Sequence, residues 1–256
     1  TPCEHSFPTR RSSDLWQSIF LALTVFSVMA AIAVAVGLPE TFPAHQPRQP
    51  LSGSLRRYID LLSDRVYLGY ALTGGISIAG MFAYIAGSPF VFIKLYGVPA
   101  EHYGWVFGSN AAGFILMAQV NARLLARRGP AFLLSRTVWL YMLAALALLG
   151  VAALRTDALW PLLVPLFICI ASLGCILPNT SACAMSGQGA RAGSASAMLG
   201  CIQFGVAAGA ASLVGVLHDG TAMPMAMVIS VCGVLAVTIG MSTQRLQRAR
   251  VLQAQV

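Results

Sequence analysis

Seven apolar runs, each about twenty residues or longer, dominate this sequence: 16–36, 66–93, 104–125, 132–154, 158–183, 193–217 and 221–241. A run of roughly 18 or more apolar residues is long enough to cross a bilayer as a helix. In hydrocarbon every backbone N–H and C=O must be paired internally, so only helices and closed barrels can span. The alternating ten-residue segments of a barrel do not occur in the sequence. The chain is therefore read as an all-α membrane protein with seven transmembrane helices. Composition agrees: 57% of residues are hydrophobic and 9% charged, whereas a soluble chain is about a quarter charged.

The net charge of +8 reports orientation rather than a nucleic-acid partner. When alternate loops are placed on one side, that side holds twelve arginines: Arg48, Arg56, Arg57, Arg65, Arg123, Arg127, Arg128, Arg136, Arg191, Arg245, Arg248 and Arg250. The other side holds Lys94 and Arg155. Positive residues stay in the cytoplasm, so the linker and C-terminus are expected there, in a bacterial inner (plasma) membrane.

The organisation follows from the gaps between runs. Residues 1–15 match nothing downstream and read as a non-native leader, which would make the chain a fragment. A single helix, 16–36, comes next. The linker 37–65 holds Pro39, Pro43, Pro47 and Pro50, which keep it extended. Its second part is amphipathic, with Leu51, Leu55, Tyr58, Ile59 and Leu62 on one face, and suits the membrane interface or a solvated helix. Short connections then join six helices across 66–243, with a tail over 244–256. Short connections predict successive helices as neighbours, and six helices parse as two triples, the unit of inverted repeats in carriers.

The run at 73–98 has two unlike faces. Gly75, Ala79, Ala83 and Gly87 recur every four residues and form a close-packing stripe. Ser77, Met81, Tyr84 and Ser88 lie opposite, offering hydroxyls, a thioether and a ring. Amides inside a bilayer are costly and face a bundle interior. They occur here as Asn110 and Gln119 in the next run, Asn179 in the fifth and Gln203 in the sixth. The fourth and seventh runs have none, which marks them as lipid-facing. Pro165 and Pro178 are expected to bend the fifth run, and Gly205 and Gly209 read as close-packing positions of the sixth.

No metalloprotease, serine-hydrolase or phosphate-loop motif is present, so neither an enzyme nor an ATP-driven machine has support, and no cofactor is expected. The cysteines lack CxxC spacing and read as packing residues. Glu101, His102, His218 and Asp219 fall in outer loops, where a metal site is disfavoured. No Asp or Glu lies within an apolar run, so a proton-coupling group is not expected in this stretch.

Several segments resemble the bicyclomycin-resistance (Bcr/CflA) drug-efflux family of the major facilitator superfamily. AGMFAYIAGSPFVFI (79–93), LYGV (95–98) and YGWVFGSNAAG (103–113) are similar to its seventh and eighth helices. LPET (38–41) resembles the end of the sixth, NARLLARRGP (121–130) the following loop, and RAGSASAMLG (191–200) the entry to the eleventh. The resemblance covers about 16–245. It implies that the seven helices are the sixth to twelfth of a twelve-helix carrier, the last six forming one half of that fold. Its implied function is proton-coupled efflux of drug-like molecules by alternating access, with a missing N-terminal half as partner. The cavity candidates are then Ser77, Met81, Tyr84, Ser88, Asn110, Asn179 and Gln203. Lys94 stands where many relatives are expected to carry an acid. An exporter of sugars or metabolites, or a membrane domain that does not transport alone, are the alternatives.

Overall fold

The computed structural model describes residues 11–37, 54–156 and 158–253. Residues 1–10 and the prolines and LPET segment of the linker lie outside them. The described residues form helices joined by short turns, with no strand, and divide into two units. The first contains α1 (Arg11–Gly37), so five residues of the expected leader continue the helix. Two of its hydroxyls are satisfied within it: those of Thr24 and Ser27 donate to Phe20 O and Leu23 O, each at 2.8 Å. Such back-bonding hides hydroxyls that lipid would leave unpaired.

The second unit contains α2 (Ser54–Ser63), α3 (Arg65–Pro89), α4 (Ala100–Leu125), α5 (Pro130–Ala153), α6 (Trp160–Met185), α7 (Ala192–Val216) and α8 (Met223–Gln253). A π-helical turn, Phe90–Leu95, extends α3. Among the described residues six helices, α1 and α3 with its extension included, are long and apolar enough to cross a membrane. The seventh expected span, α4, has the length, at 26 residues. It falls short in apolarity because Asn110, Gln119 and Asn121 and four glycine or serine positions dilute its hydrophobic residues.

Successive helices are main neighbours only at α5–α6; elsewhere, contrary to expectation, the principal partners lie further apart in sequence. α3 packs on α6, α7 and α8, while α6 packs on α3, α4 and α5, and α5 also meets α8. The adjacent pairs α4–α5 and α7–α8 touch only lightly. This pattern maps onto itself when α3, α4 and α5 are exchanged for α6, α7 and α8. The α3–α7 pairing becomes α6–α4, α3–α8 becomes α6–α5, and α3–α6 and α5–α8 return to themselves. The two triples therefore occupy equivalent places, as in a 3+3 inverted repeat. α3 and α6 form the centre, and α4 and α7 are left with broad exposed faces.

The small-residue stripe explains how α3 serves several partners. A four-residue repeat overshoots the helical turn by about 40° per step, hence about 120° from Gly75 to Gly87. A Cβ on Gly75 would lie 3.4 Å from Gln203 Cα of α7, whereas one on Gly87 would meet Met225 of α8 at 3.0 Å. Ala79 and Ala83 between them are fully buried. Gly205 and Gly209 differ from their expected role within this chain: no described atom lies within 4 Å of a Cβ at either position. They belong to the exposed face of α7.

The amphipathic helix α2 also differs in detail. Leu61 is its fully buried anchor, with Tyr58 packed beside the core, while Ile59 and Leu62 remain exposed. The helix is thus held against α3 and α7 through Leu61 and Tyr58 rather than through the whole expected face. α6 runs as one helix through Pro165 and Pro178. Pro178 has no N–H to offer Gly174 four residues earlier, and a Cβ on Gly174 would lie 2.2 Å from the Phe114 carbonyl oxygen of α4.

The arginine-rich end is stitched by polar contacts. Asp64 caps α3 by accepting from Val66 N–H at 3.1 Å, pairs with Arg250 at 2.9 Å and accepts from Gln188 Nε2 at 3.3 Å. The Tyr67 hydroxyl donates to Ala195 O at 2.6 Å, and that of Tyr70 donates to Gln247 Oε1. Burial raises the Asp64 pKa, but the bonds from Arg250 and Val66 and the Arg250 charge outweigh it, leaving the carboxyl below its ordinary value. A depressed folded-state pKa stabilises above the unfolded value and is lost as pH falls through the folded one. The melting temperature of the chain is accordingly expected to lose this contribution only below about pH 4, and Asp64→Asn to remove that part of the pH dependence.

Candidate functional site

The cavity candidates fall at three places along α3 rather than in one cluster. Nearest the Lys94 end, Tyr84 and Ser88 of α3 face Tyr103, Phe107 and Asn110 of α4. Asn110 donates through Nδ2 to the Tyr84 hydroxyl at 3.1 Å and to Val106 O at 3.2 Å. Tyr84 stacks on Phe107 with centroids 5.7 Å apart and planes at 15°. Ser88 Oγ and the Tyr103 hydroxyl share a hydrogen bond of 2.8 Å. α3 and α4 are thus joined here by side chains, while the α4 backbone packs on α6.

Because a backbone carbonyl only accepts, the bond to Val106 fixes the Asn110 amide with its NH2 toward that oxygen. Its Oδ1 then has no partner among the described residues although the residue is 2% exposed. A buried acceptor without a donor costs roughly 1–3 kcal/mol. Combined with stacked rings, it is a place where a molecule bearing an N–H or O–H group gains a bond that the protein does not make for itself.

The second place lies toward the arginine-rich end, where Asn179 of α6 donates to Asn121 Oδ1 of α4 at 2.6 Å and to Cys175 O at 2.8 Å. Cys175 Sγ reaches the same Asn121 oxygen at 3.1 Å, and the Thr137 hydroxyl of α5 lies 3.1 Å from that sulfur. Cys175 is therefore part of a polar node joining three helices, beyond the packing role expected of it. Asn179 Oδ1 is also buried without a partner among the described residues.

The third place is the crossing of α3 with α6 and α7. A Cβ on Gly74 would meet Thr180 Oγ1 at 2.8 Å and Gln203 Nε2 at 3.0 Å. Gln203 is half-buried there. Ser77 is fully buried, its hydroxyl donating to Thr73 O at 2.7 Å. Met81 is half-buried against the core.

Tyr103, Phe107 and Asn121 were not among the expected site residues, yet their spacing was readable. Tyr103, Phe107 and Asn110 follow i, i+4, i+7 on α4, and Asn121 comes eleven residues, about three turns, after Asn110 on the same face. Gln119 is about half a turn off that face and is exposed. At the Lys94 end, His218 packs edge-on to Phe90 at 4.3 Å, and Asp219 accepts from Thr221 N–H and Oγ1 at 2.9 and 2.6 Å. The Thr221 hydroxyl bond lowers the Asp219 pKa. Among the described residues no three His, Cys, Asp or Glu side chains converge as metal ligands.

Comparison with known proteins adds the lineage. The family model described as "Major Facilitator Superfamily" matches residues 9–212. The chain is 34% identical to the "Uncharacterized MFS-type transporter YdgK" of Bacillus subtilis over 86% of its own length and 54% of that protein's. It is 28% identical to the "Bicyclomycin resistance protein homolog" of Haemophilus influenzae over 87% of its length and 56% of the relative's. A shorter match, 27% over 128 residues, covers 48% of the chain and 30% of the "Multidrug transporter MdfA" of Edwardsiella ictaluri. The chain spans about half the length of the first two relatives.

Proposed function

The chain belongs to the Major Facilitator Superfamily, and from that premise we propose that it is the C-terminal portion of a drug-efflux carrier. In this reading α1 is the sixth helix of the carrier and α3 to α8 form its second six-helix half. The arginine-rich end faces the cytoplasm of a bacterial inner membrane, following the positive-inside rule. The exposed faces of α4 and α7 meet the first half, and the glycines at 205 and 209 do their close packing across that interface. Transport proceeds as the halves rock about the space between them.

The observation that carries this reading is the α3–α4 cluster. Tyr84 and Phe107 offer stacked rings for varied apolar molecules, and the buried Asn110 oxygen lacks a donor. A mostly apolar site with a few placed polar groups suits substrates that share size and hydrophobicity more than one functional group. Drug-like names among the relatives at the level of bicyclomycin resistance and multidrug transport support the substrate class. The proton-linked group lies elsewhere in the carrier, because the apolar runs here contain no Asp or Glu.

In the full-length carrier, Asn110→Ala and Gln203→Ala are expected to lower dye or drug efflux from cells several-fold with normal membrane insertion. Arg155→Gln, on the outer loop, is expected to leave efflux unchanged. Wild-type efflux from alanine variants at every cavity candidate defeats the assignment.

A further inference from the structure

A groove opens at the arginine-rich end between the start of α5 and the tail of α8, away from the α3–α4 cluster. Its volume is about 410 Å³, and it is lined by Ala131, Gln244, Gln247, Arg248, Val251 and Leu252. Gln244 is 6% exposed and donates through Nε2 to Ala131 O at 2.9 Å, which ties the two helices at the groove floor. Gln247 spends its oxygen on the Tyr70 hydroxyl, so its NH2 remains a donor. Arg248 is exposed on the rim. On the adjoining turn, the Arg128 and Arg136 guanidiniums lie 4.8 and 5.7 Å from the centroid of the Phe132 ring.

Two features identify the chemistry that fits. Among the described residues the one ion pair is Asp64–Arg250, so Arg128, Arg136 and Arg248 have no carboxylate beside them. The apolar residues interleaved with these cations also face outward: Phe132 is 40%, Leu246 45%, Val251 52% and Leu252 65% exposed. A soluble anion would satisfy the guanidiniums and leave that apolar surface bare. A neutral lipid tail would cover the surface and leave the charges. Only an amphiphile with an anionic head and an acyl chain does both. The location suits one, since basic pockets between helices near the cytoplasmic boundary take anionic headgroups.

We propose that this groove binds an anionic glycerophospholipid. Its phosphate sits against Arg248 and the Gln247 amide, Arg128 and Arg136 add long-range attraction, and an acyl chain runs beside Val251 and Leu252. Such a lipid ties the α8 tail to the start of α5, two helices that the Gln244–Ala131 hydrogen bond also joins at this end.

The test is native mass spectrometry of the detergent-purified chain mixed with equal dioleoylphosphatidylglycerol and dioleoylphosphatidylcholine. Preferential retention of the anionic lipid is expected. Arg248→Gln reduces that retention about fivefold, the effect of one basic residue near a charged headgroup. Val251→Trp, which fills the groove and keeps every charge, reduces it as well. Both side chains are exposed, so neither change should disturb folding, and a thermal melt of each variant checks this. Arg123→Gln, at the same end on α4, leaves retention within about twofold. Equal retention of the two lipids overturns the proposal. So does an equal loss in Arg123→Gln, which would mean a diffuse basic surface, and so does displacement by millimolar inorganic phosphate alone, which would mean a soluble-anion site.

Discussion

Gly174→Leu is expected to abolish the folded bundle, and Gly174→Ala to destabilise it by about 3 kcal/mol, the upper range for an overpacked core. A Cβ at Gly174 would lie 2.2 Å from the carbonyl oxygen of Phe114 and 2.9 Å from the Ala118 nitrogen. Both atoms belong to the α4 backbone, which cannot rotate aside as a side chain can. Relief requires α4 and α6 to separate, and separation costs dispersion along the whole contact, because even a gap of about 0.5–1 Å forfeits a quarter to a half of each atom pair's attraction. It also pulls on the Asn121–Asn179 bond one turn away. Gly205→Ala is the matched control, since among the described residues nothing within 4 Å meets its Cβ. Scanning fluorimetry of the detergent-solubilised variants separates the two. Equal melting of Gly174→Ala and Gly205→Ala would show that α4 and α6 have room the distances deny.

The second large effect is expected at the three-helix node. Asn121→Leu removes the oxygen that accepts from both Asn179 and Cys175. A buried donor is then left with one bond fewer, at a cost of about 1–2 kcal/mol. Interhelical hydrogen bonds in membranes average about 0.6 kcal/mol and reach about 1.7, which places the expected cost at about 1 kcal/mol. Asn179→Leu should cost a similar amount from the other side. The double variant is the informative one. With both amides replaced by apolar groups, the orphaned donor disappears and leucines can pack, so the pair should be destabilised by less than the sum of the singles. A strictly additive result in a chemical-denaturation cycle would mean that the 2.6 Å bond contributes no coupling.

Much of the architecture was legible before any coordinates. Apolar run length gives the helices, and the arginine asymmetry agrees with an alternating path, since Tyr67–Ala195, Gln244–Ala131 and Asp64–Arg250 all meet at one end. Partner choice was not legible. Periodicity assigns a residue to a face of its own helix and says nothing about which helix covers that face. Gly75 and Gly87 illustrate this: one stripe in the sequence turns out to serve two partners because a four-residue repeat slowly winds around the axis. Asn121 was hidden for another reason. It begins a segment rich in arginine and was read with that loop, although its register on α4 matches Asn110. Gly174 carries no local signal, because a lone glycine in an apolar helix looks the same whether a backbone or open space lies opposite. For the cavity candidates the sequence indicated the residue types, while the joining of Tyr84 and Ser88 to Tyr103 and Phe107 depends on α4 lying across the end of α3.

The pairing order has a consequence for how the protein is made. α3 ends at Pro89, but its partners α7 and α8 begin only at Ala192 and Met223. At about 5–20 residues per second of synthesis, α3 waits on the order of ten seconds in the insertion machinery or the nascent bilayer with its glycine grooves open. α5 and α6, neighbours in both sequence and space, can dock at once. Assembly can therefore begin with α5 and α6, and the contacts of α3 with α7 and α8 are among the last to close.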